Sequence, residues 1–155
     1  MAIEVIDGMI ATATVKSSNA KVVMFDGISI RTTAGPELRL EKVAAAPDVA
    51  AALQAGTEGR FYGYKAIDHR GLFGLRTRDG RSAFAIPTGN EKIMLAMAIV
   101  SLAVVVGSLL LGKGLGLFSA ILAVLGAVGY FKYRSDRIAA RARYDSDTEY
   151  TRGFA

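Results

Sequence analysis

The sequence predicts a mixed fold with three parts. Residues 1–90 form a small β-rich domain, residues 91–133 form a transmembrane helical hairpin, and residues 134–155 form a basic juxtamembrane helix with a flexible tail. Three observations predict this arrangement. The second half of the chain holds two long uncharged apolar runs, basic residues gather directly after the second run, and short alternating segments separated by turn residues fill the first half.

The two apolar runs have the length of membrane spans. Residues 93–111 are 19 positions without a charge, and residues 115–131 add 17 more. One helix through both runs would be about 58 Å long, roughly twice the hydrocarbon thickness of a bilayer. The chain is therefore expected to turn at Gly112-Lys113-Gly114, where the lysine reaches water. The alternative is a buried hairpin in a soluble domain, which helices that are apolar all round do not favour.

The basic residues set the expected orientation. Both flanks of the apolar segment are rich in arginine and lysine, whereas Lys113 is the only cation between the runs. The positive-inside rule then places both chain ends in the cytoplasm, in a membrane of the bacterial inner-membrane type. Glu4 and Asp7 lie where a signal peptide would carry basic residues, which agrees with a cytoplasmic N-terminus.

Small residues form a stripe along each apolar run. Because lipid gives helices no hydrophobic reason to associate, small faces are the usual sites of close helix packing. The stripes are expected to join the two helices to each other or, alternatively, to join neighbouring copies of the chain. Their members are Ala96, Ala103 and Gly107 on the first run, and Gly116, Ser119, Ala120, Ala123 and Ala127 on the second.

Composition narrows the chemistry that the chain can carry. It has no cysteine, which excludes disulfides, cysteine nucleophiles and thiolate metal sites. The net charge of +5 is mild and is divided between residues 1–92 at +2, the membrane segment at +1 and the tail at +2, so it does not indicate a nucleic-acid partner. The sequence contains no common catalytic or nucleotide-binding motif, and no cofactor, metal site or catalytic residue is predicted.

The N-terminal domain is expected to contain seven strands and one helix. Strands are predicted at residues 9–16, 21–25, 28–33, 37–43, 59–68, 72–78 and 81–86, with residues 1–8 as a short strand or a lead-in. Asp26-Gly27 and Asp79-Gly80 read as hairpin turns. The helix begins at Pro47 and stops before Gly56.

This element order, with one helix inside a series of strands, resembles the small partly open barrel of the OB type. Another small β-barrel or an α+β roll remains an alternative. A barrel beside membrane helices is similar to the NfeD family, in which the barrel follows the helices. Here the barrel precedes them, so no function is carried across.

Two candidate sites precede the membrane segment. Arg60, Tyr62, Tyr64 and Lys65 resemble the aromatic and basic strand that stacks bases in oligonucleotide-binding barrels, and they are the candidate ligand or partner surface. The alternative is that these aromatic side chains fill the core and cover a sheet edge. His69, the only histidine, is expected in a solvated turn, since a metal site needs several ligands.

The segment after the second run is predicted to continue the helix into the cytoplasm. Its cations are expected to contact anionic lipid headgroups or, alternatively, a partner subunit. Residues 145–155 are expected to be a flexible tail, with Tyr150 and Phe154 as its anchors if it is ordered. The cations are Lys132, Arg134, Arg137, Arg141 and Arg143.

Three functions follow as hypotheses. The first is a non-enzymatic accessory or scaffold subunit of an inner-membrane assembly, with lipid and other subunits or further copies of itself as partners. The second is a self-assembling membrane pore gated by ligand or nucleotide binding to the cytoplasmic domain. The third, an enzyme acting at the membrane surface, has the least support because no catalytic constellation is visible.

Overall fold

A computed structural model describes residues 3–33, 35–65, 70–86, 88–111 and 116–147. The chain divides into two compact units. The first contains Met1–Ile86 together with Ala140–Ala155, and the second is Pro87–Ala139. The predicted Gly112-Lys113-Gly114 turn, His69, Tyr150 and Phe154 lie outside the described residues.

The first unit contains six strands and one short helix. Its elements are β1 (Ile3–Ser18), β2 (Val23–Thr32), β3 (Glu37–Ala45), α1 (Pro47–Ala50), β4 (Glu58–Lys65), β5 (Arg70–Thr77) and β6 (Ser82–Phe84).

Five of these strands close into a barrel. The long strand β1 pairs antiparallel with β2 through its second half and with β4 through its first half. β2 also pairs with β3, and β4 with β5, while a short parallel ladder between β3 and β5 closes the circuit. β6 adds to the outer edge of β5. The prediction of a small β-barrel is therefore confirmed.

The barrel interior is filled by aliphatic side chains and two phenylalanines. β-branched residues at alternate positions point inward, as the two-residue period of a strand requires. Where β1 passes between two neighbours, Gly8 lies opposite Gly59 on β4. A Cβ at Gly8 would lie 2.4 Å from the Arg31 carbonyl oxygen on β2, so β1 needs a glycine at this position. The buried core residues include Ile6, Ile10, Phe25, Ile28, Ile30, Leu40, Val43, Val49, Phe61, Leu72 and Leu75.

Two local predictions are wrong. Asp26-Gly27 is not a hairpin turn, because β2 runs straight through it and Gly27 pairs with Thr14 on one side and Glu41 on the other. The reversal lies earlier, where the Asn19 side chain accepts hydrogen bonds from the next backbone amides. Helix α1 is a single turn rather than a helix up to Gly56, and Val49 is its only buried residue.

The second unit consists mainly of two long helices. α2 is Gly89–Leu110 and α3 is Gly116–Ser146, whose last residues belong to the first unit. The prediction that the second apolar helix continues through the basic segment is confirmed. The two helices are antiparallel, since Gly126 approaches Ala98 and Gly129 approaches Met94.

Candidate functional site

Helices α2 and α3 expose an apolar surface. Both are long and apolar enough to cross a membrane, by length and composition. Only 6% of the most apolar stretch of each helix is buried, whereas the core helix of a soluble protein is mostly buried. The exposed side chains include Ile93, Ile99, Val100, Leu102, Leu109, Leu110, Leu117, Phe118, Val124, Leu125, Val128 and Phe131.

The contact between the helices uses a different face of α2 from the predicted one. Ser101 and Ser108 are the buried polar residues of α2, whereas Ala96 and Ala103 are exposed, and a Cβ at Gly107 would meet no atom within 4 Å. The expectation that this stripe joins α2 to α3 is therefore corrected. Ala96 lies two positions from Met94, and Ala103 lies two positions from Ser101. Two positions are about 200° around a helix, so these alanines point away from the face that contacts α3.

On α3 a close approach to α2 occurs at two glycines outside the predicted stripe. A Cβ at Gly126 would lie 2.7 Å from the Ala98 backbone nitrogen, and one at Gly129 would lie 2.8 Å from the Met94 sulfur. The predicted residues Ser119, Ala120, Ala123 and Ala127 are half-buried around this contact. Their role in packing stays a prediction, and Gly116 only marks where the helix begins.

One of the predicted lipid-contacting cations, on α3, pairs with an acidic residue on α2. The Arg137 guanidinium donates two hydrogen bonds, of 2.8 and 3.1 Å, to the Glu91 carboxylate, whose side chain is only 13% exposed. The Arg137 side chain is still 42% exposed, and its contact with lipid or a partner stays a prediction. Lys132, Arg134 and Arg143 are exposed, and lipid contact by these residues stays a prediction.

The first unit carries a second buried cluster on the outside of the barrel. Tyr62 and Tyr64 face outward on β4, since they alternate with the inward Phe61. On β5 the register slips by one residue, so that Tyr62 lies opposite Gly74 and Gly63 opposite Leu72. Phe73 is the extra residue of this bulge and also faces outward. We call Tyr62, Tyr64, Phe73, Phe84 and Arg76 the outer aromatic face.

The end of α3 covers the outer aromatic face. Ala140 is fully buried and Tyr144 is 5% exposed. The Tyr144 ring lies 5.1 Å from the Tyr62 ring and 4.9 Å from the Phe84 ring, measured between centroids. A Cβ at Gly74 would come within 3.0 Å of the Tyr144 ring, so the bare glycine provides the room for it. Residues 140–147, which we call the C-terminal segment, are thus seated in a shaped ring pocket.

Polar groups hold the C-terminal segment at both ends of this pocket. Arg76 stacks on the Tyr144 ring at 4.2 Å, and its Nη2 donates to the Tyr144 carbonyl oxygen at the negative end of the helix. The Tyr144 hydroxyl donates to the Leu75 carbonyl oxygen. Tyr62 in turn donates its hydroxyl proton to the Asp147 carboxylate at 3.0 Å. Each of these bonds joins the barrel to the C-terminal segment.

A charge network continues from Asp147 across the barrel. Arg60 lies 3.4 Å from Asp147 and makes a two-pronged bond to Asp7, its cross-strand neighbour on β1. The Asp7 hydrogen bond raises the pKa of Arg60 above its ordinary value, so its charge is fixed. Burial, followed by the bond to Asp147, raises the pKa of the Tyr62 phenol. Burial also raises the pKa of Tyr64.

The predicted partner surface on β4 is therefore corrected in part. Tyr62 is fully buried under the C-terminal segment and is not an open stacking surface. Arg60 and Tyr64 are half-buried, and Lys65 alone is exposed. The reason is long-range: an aromatic strand face reads the same in the sequence whether solvent or a distant helix covers it. Asp147 also shows that the beginning of the predicted flexible tail, residues 145–155, is bonded to the barrel.

Two open depressions lie elsewhere on the first unit. One, of about 630 Å³, is an apolar groove between the end of the β1–β2 hairpin and α1, where Val15 is 55% exposed. The other, of about 390 Å³, holds Glu58 paired with Arg78 and Asp79 paired with Arg81. Among the described residues, no group of three or more histidine, cysteine or acidic side chains is placed to hold a metal ion.

Comparison of the chain with protein-family models, with curated proteins and with solved structures finds no match in any of the three.

Proposed function

We propose that this chain is a non-enzymatic accessory or scaffold subunit of a membrane assembly, anchored in a bacterial-type inner membrane by α2 and α3. In this proposal the barrel lies in the cytoplasm and makes protein contacts. The observation that carries it is the apolar surface of the two helices, which the rest of the chain leaves uncovered. In water, an exposed apolar surface of this extent would cause aggregation, whereas in lipid it needs no other cover.

The chain segments that make up the first unit support a hairpin topology. This unit contains both the strands that precede α2 and the C-terminal segment that follows α3. A chain whose two flanking segments pack into one domain must cross the bilayer an even number of times. Two antiparallel spans with both termini on one side fulfil this, and the arginine-rich flanks favour the cytoplasmic side.

The strand connections support an OB-like barrel. In an OB-type barrel a long first strand pairs with the second and fourth strands, and a helix precedes the fourth strand. Here β1 pairs with β2 and β4, α1 precedes β4, and β3 closes on β5. We propose this class for the barrel on topology alone and take no ligand from it.

Topology and partners are tested separately. Alkaline carbonate washing of vesicles is expected to leave the chain in the membrane, and reporters fused at either terminus are expected to be active in the cytoplasm. Purification in mild detergent after cross-linking in native membranes is then expected to capture a stoichiometric partner or a homo-oligomer. Release by carbonate, or a reporter active on the far side, would overturn the anchoring. A monomer without any captured partner would overturn the scaffold role.

The second candidate function is a self-assembling pore gated by a ligand or nucleotide at the barrel. The observation in its favour is the small-residue stripe of Ala96, Ala103 and Gly107, which α3 leaves uncovered and which suits packing between copies. Purified chain in liposomes with trapped dye tests it. Leakage that depends on chain concentration supports the pore, and tight liposomes with and without nucleotide exclude it.

A further inference from the structure

The ring pocket on the barrel has the features of a peptide-recognition site. It combines aromatic walls from β4 and β6, a glycine floor at Gly74, and a guanidinium that stacks on the inserted ring. We propose that this pocket recognises a helical segment of defined chemistry, and that the chain's own C-terminal segment occupies it until a partner segment with the same chemistry competes. This deepens the proposed function by naming the contact surface of the barrel.

The seated segment defines the chemistry of the partner. Ala140 and Tyr144 lie at positions i and i+4 on one face of α3, and Asp147 at i+7 follows directly after the last helical residue, Ser146. The small residue allows close approach to the barrel, the tyrosine fills the pocket, and the carboxylate meets Tyr62 and Arg60. A competing partner is therefore a helical protein segment with a small residue, an aromatic residue four positions later and an acidic residue three positions after that.

In the described part of the chain, the contact between the C-terminal segment and the barrel buries few residues and leaves one hydrogen-bond donor unsatisfied, which suits a contact that a partner can displace. Ala140 and Tyr144 are the only described residues of the segment that are buried. The Arg76 side chain is buried, yet its Nε atom finds no hydrogen-bond acceptor among the described residues. An unsatisfied buried donor costs free energy, so the closed contact is weaker than its ring packing alone implies. A partner with an added acceptor at this position would bind better than the resident segment.

Peptide binding to the full chain in detergent or nanodiscs tests the proposal. The probe is a fluorescent peptide with the sequence of residues 136–147, and its binding is followed by anisotropy. A tethered segment competes at an effective concentration on the order of mM. The Tyr144→Ala chain, whose own segment cannot fill the pocket, is therefore expected to bind the probe at least tenfold more tightly than the wild type. Equal binding, or no binding to either chain, would overturn the proposal.

Matched variants keep the result specific. Tyr133→Ala, which removes an exposed tyrosine of the same helix, is expected to bind like the wild type. A peptide with alanine at the Tyr144 position is expected not to bind, and Gly74→Val added to Tyr144→Ala is expected to abolish binding by blocking the pocket. Binding that survives Gly74→Val would place the probe elsewhere and refute the site.

Two further measurements separate this inference from folding and from anchoring. Should Tyr144→Ala fail to fold by circular dichroism, Asp147→Asn loosens the segment without emptying the pocket and is expected to show intermediate peptide affinity. Wild-type affinity for Asp147→Asn would then count against the proposal. A chain that floats with liposomes but binds no peptide in any variant overturns this inference and leaves the membrane anchoring intact.

Discussion

Substitution of Gly126 tests whether α2 and α3 form a tight antiparallel pair. A Cβ at this position would lie 2.7 Å from the Ala98 nitrogen and 3.0 Å from both the Ala98 Cα and the Met94 carbonyl oxygen. These are backbone atoms and cannot rotate away. Since non-bonded carbon atoms prefer about 3.5–4.0 Å, Gly126→Leu must push the helices apart by about 1 Å at this point.

The expected cost follows from overpacking in a close-packed contact. Such changes typically cost about 1–3 kcal/mol. At 1.4 kcal/mol per tenfold, the equilibrium ratio of closed to open helix pairs falls by about 5- to 150-fold. The matched control is Gly107→Leu on α2, where an added Cβ meets no atom within 4 Å and no loss is expected.

A disulfide reports on the closed pair, because the chain has no cysteine of its own. An ideal Cβ at Gly129 lies 3.6 Å from the Met94 Cβ, which is within the range of about 3.5–4.5 Å that disulfides need. The Met94→Cys/Gly129→Cys chain is therefore expected to oxidise readily in membranes, as measured by the loss of maleimide-reactive thiols. Gly126→Leu should slow this oxidation, at most by the factor by which the closed-to-open ratio falls. Unchanged oxidation with Gly126→Leu, or equal slowing with Gly107→Leu, would refute the helix contact.

Three further predictions concern single groups. Arg137→Ala removes the guanidinium that makes two hydrogen bonds to the largely buried Glu91 carboxylate. It is expected to lower the unfolding free energy in micelles by about 1–3 kcal/mol, which is less than the loss when a fully buried ion pair is broken. Arg81→Ala, which breaks an exposed pair, should cost under about 1 kcal/mol, and equal effects would contradict this account. The raised pKa of Tyr62 means that its stabilising effect is complete below pH about 10, the ordinary tyrosine value, and is lost as the pH rises through the folded-state value. Ultraviolet titration should show a phenol, besides that of Tyr64, that ionises late and that disappears in Tyr62→Phe; a titration unchanged by this substitution would count against burial of the Tyr62 phenol. Gly74→Val should expel the ring seated above it and expose the end of α3 to proteolysis, and an unchanged digestion pattern would show that the ring does not rest there.

The sequence predicted those parts of the fold that local patterns determine. The two apolar helices are confirmed as elements, because runs of 17 and 19 uncharged positions leave few alternatives to long helices. The barrel is confirmed as a class, because alternation of inward and outward residues is a local property. Asp79-Gly80 is confirmed as a turn, with Gly80 at φ +87°, where glycine is favoured.

The errors arise where long-range pairing overrides a local signal. Asp-Gly between hydrophobic residues is a strong hairpin signal, yet at Asp26-Gly27 the chain stays extended because β1 and β3 flank it on both sides. The small-residue stripe on α2 failed for a related reason. Several faces of an apolar helix carry small residues, and only the position of the partner helix decides which face is packed.

The outer aromatic face illustrates the same limit at the candidate site. The sequence indicates an aromatic and basic strand at Arg60, Tyr62 and Tyr64, but the segment that covers it lies about 80 residues further along the chain, where a basic helix and the beginning of a free tail are expected. One sequence signal points to this contact: Tyr144 shares a helix face with Ala140, and the acidic Asp147 follows at the spacing that would continue this face. Such a helix face predicts a contact only when the surface that it fits is known. In this chain that surface is the ring pocket, which the β-bulge at Phe73 shapes. The bulge itself leaves no trace in the sequence beyond Gly74, because the inserted residue Phe73 fits either strand face. Recognition of the C-terminal segment is therefore a property of tertiary structure, and the peptide experiment tests it directly.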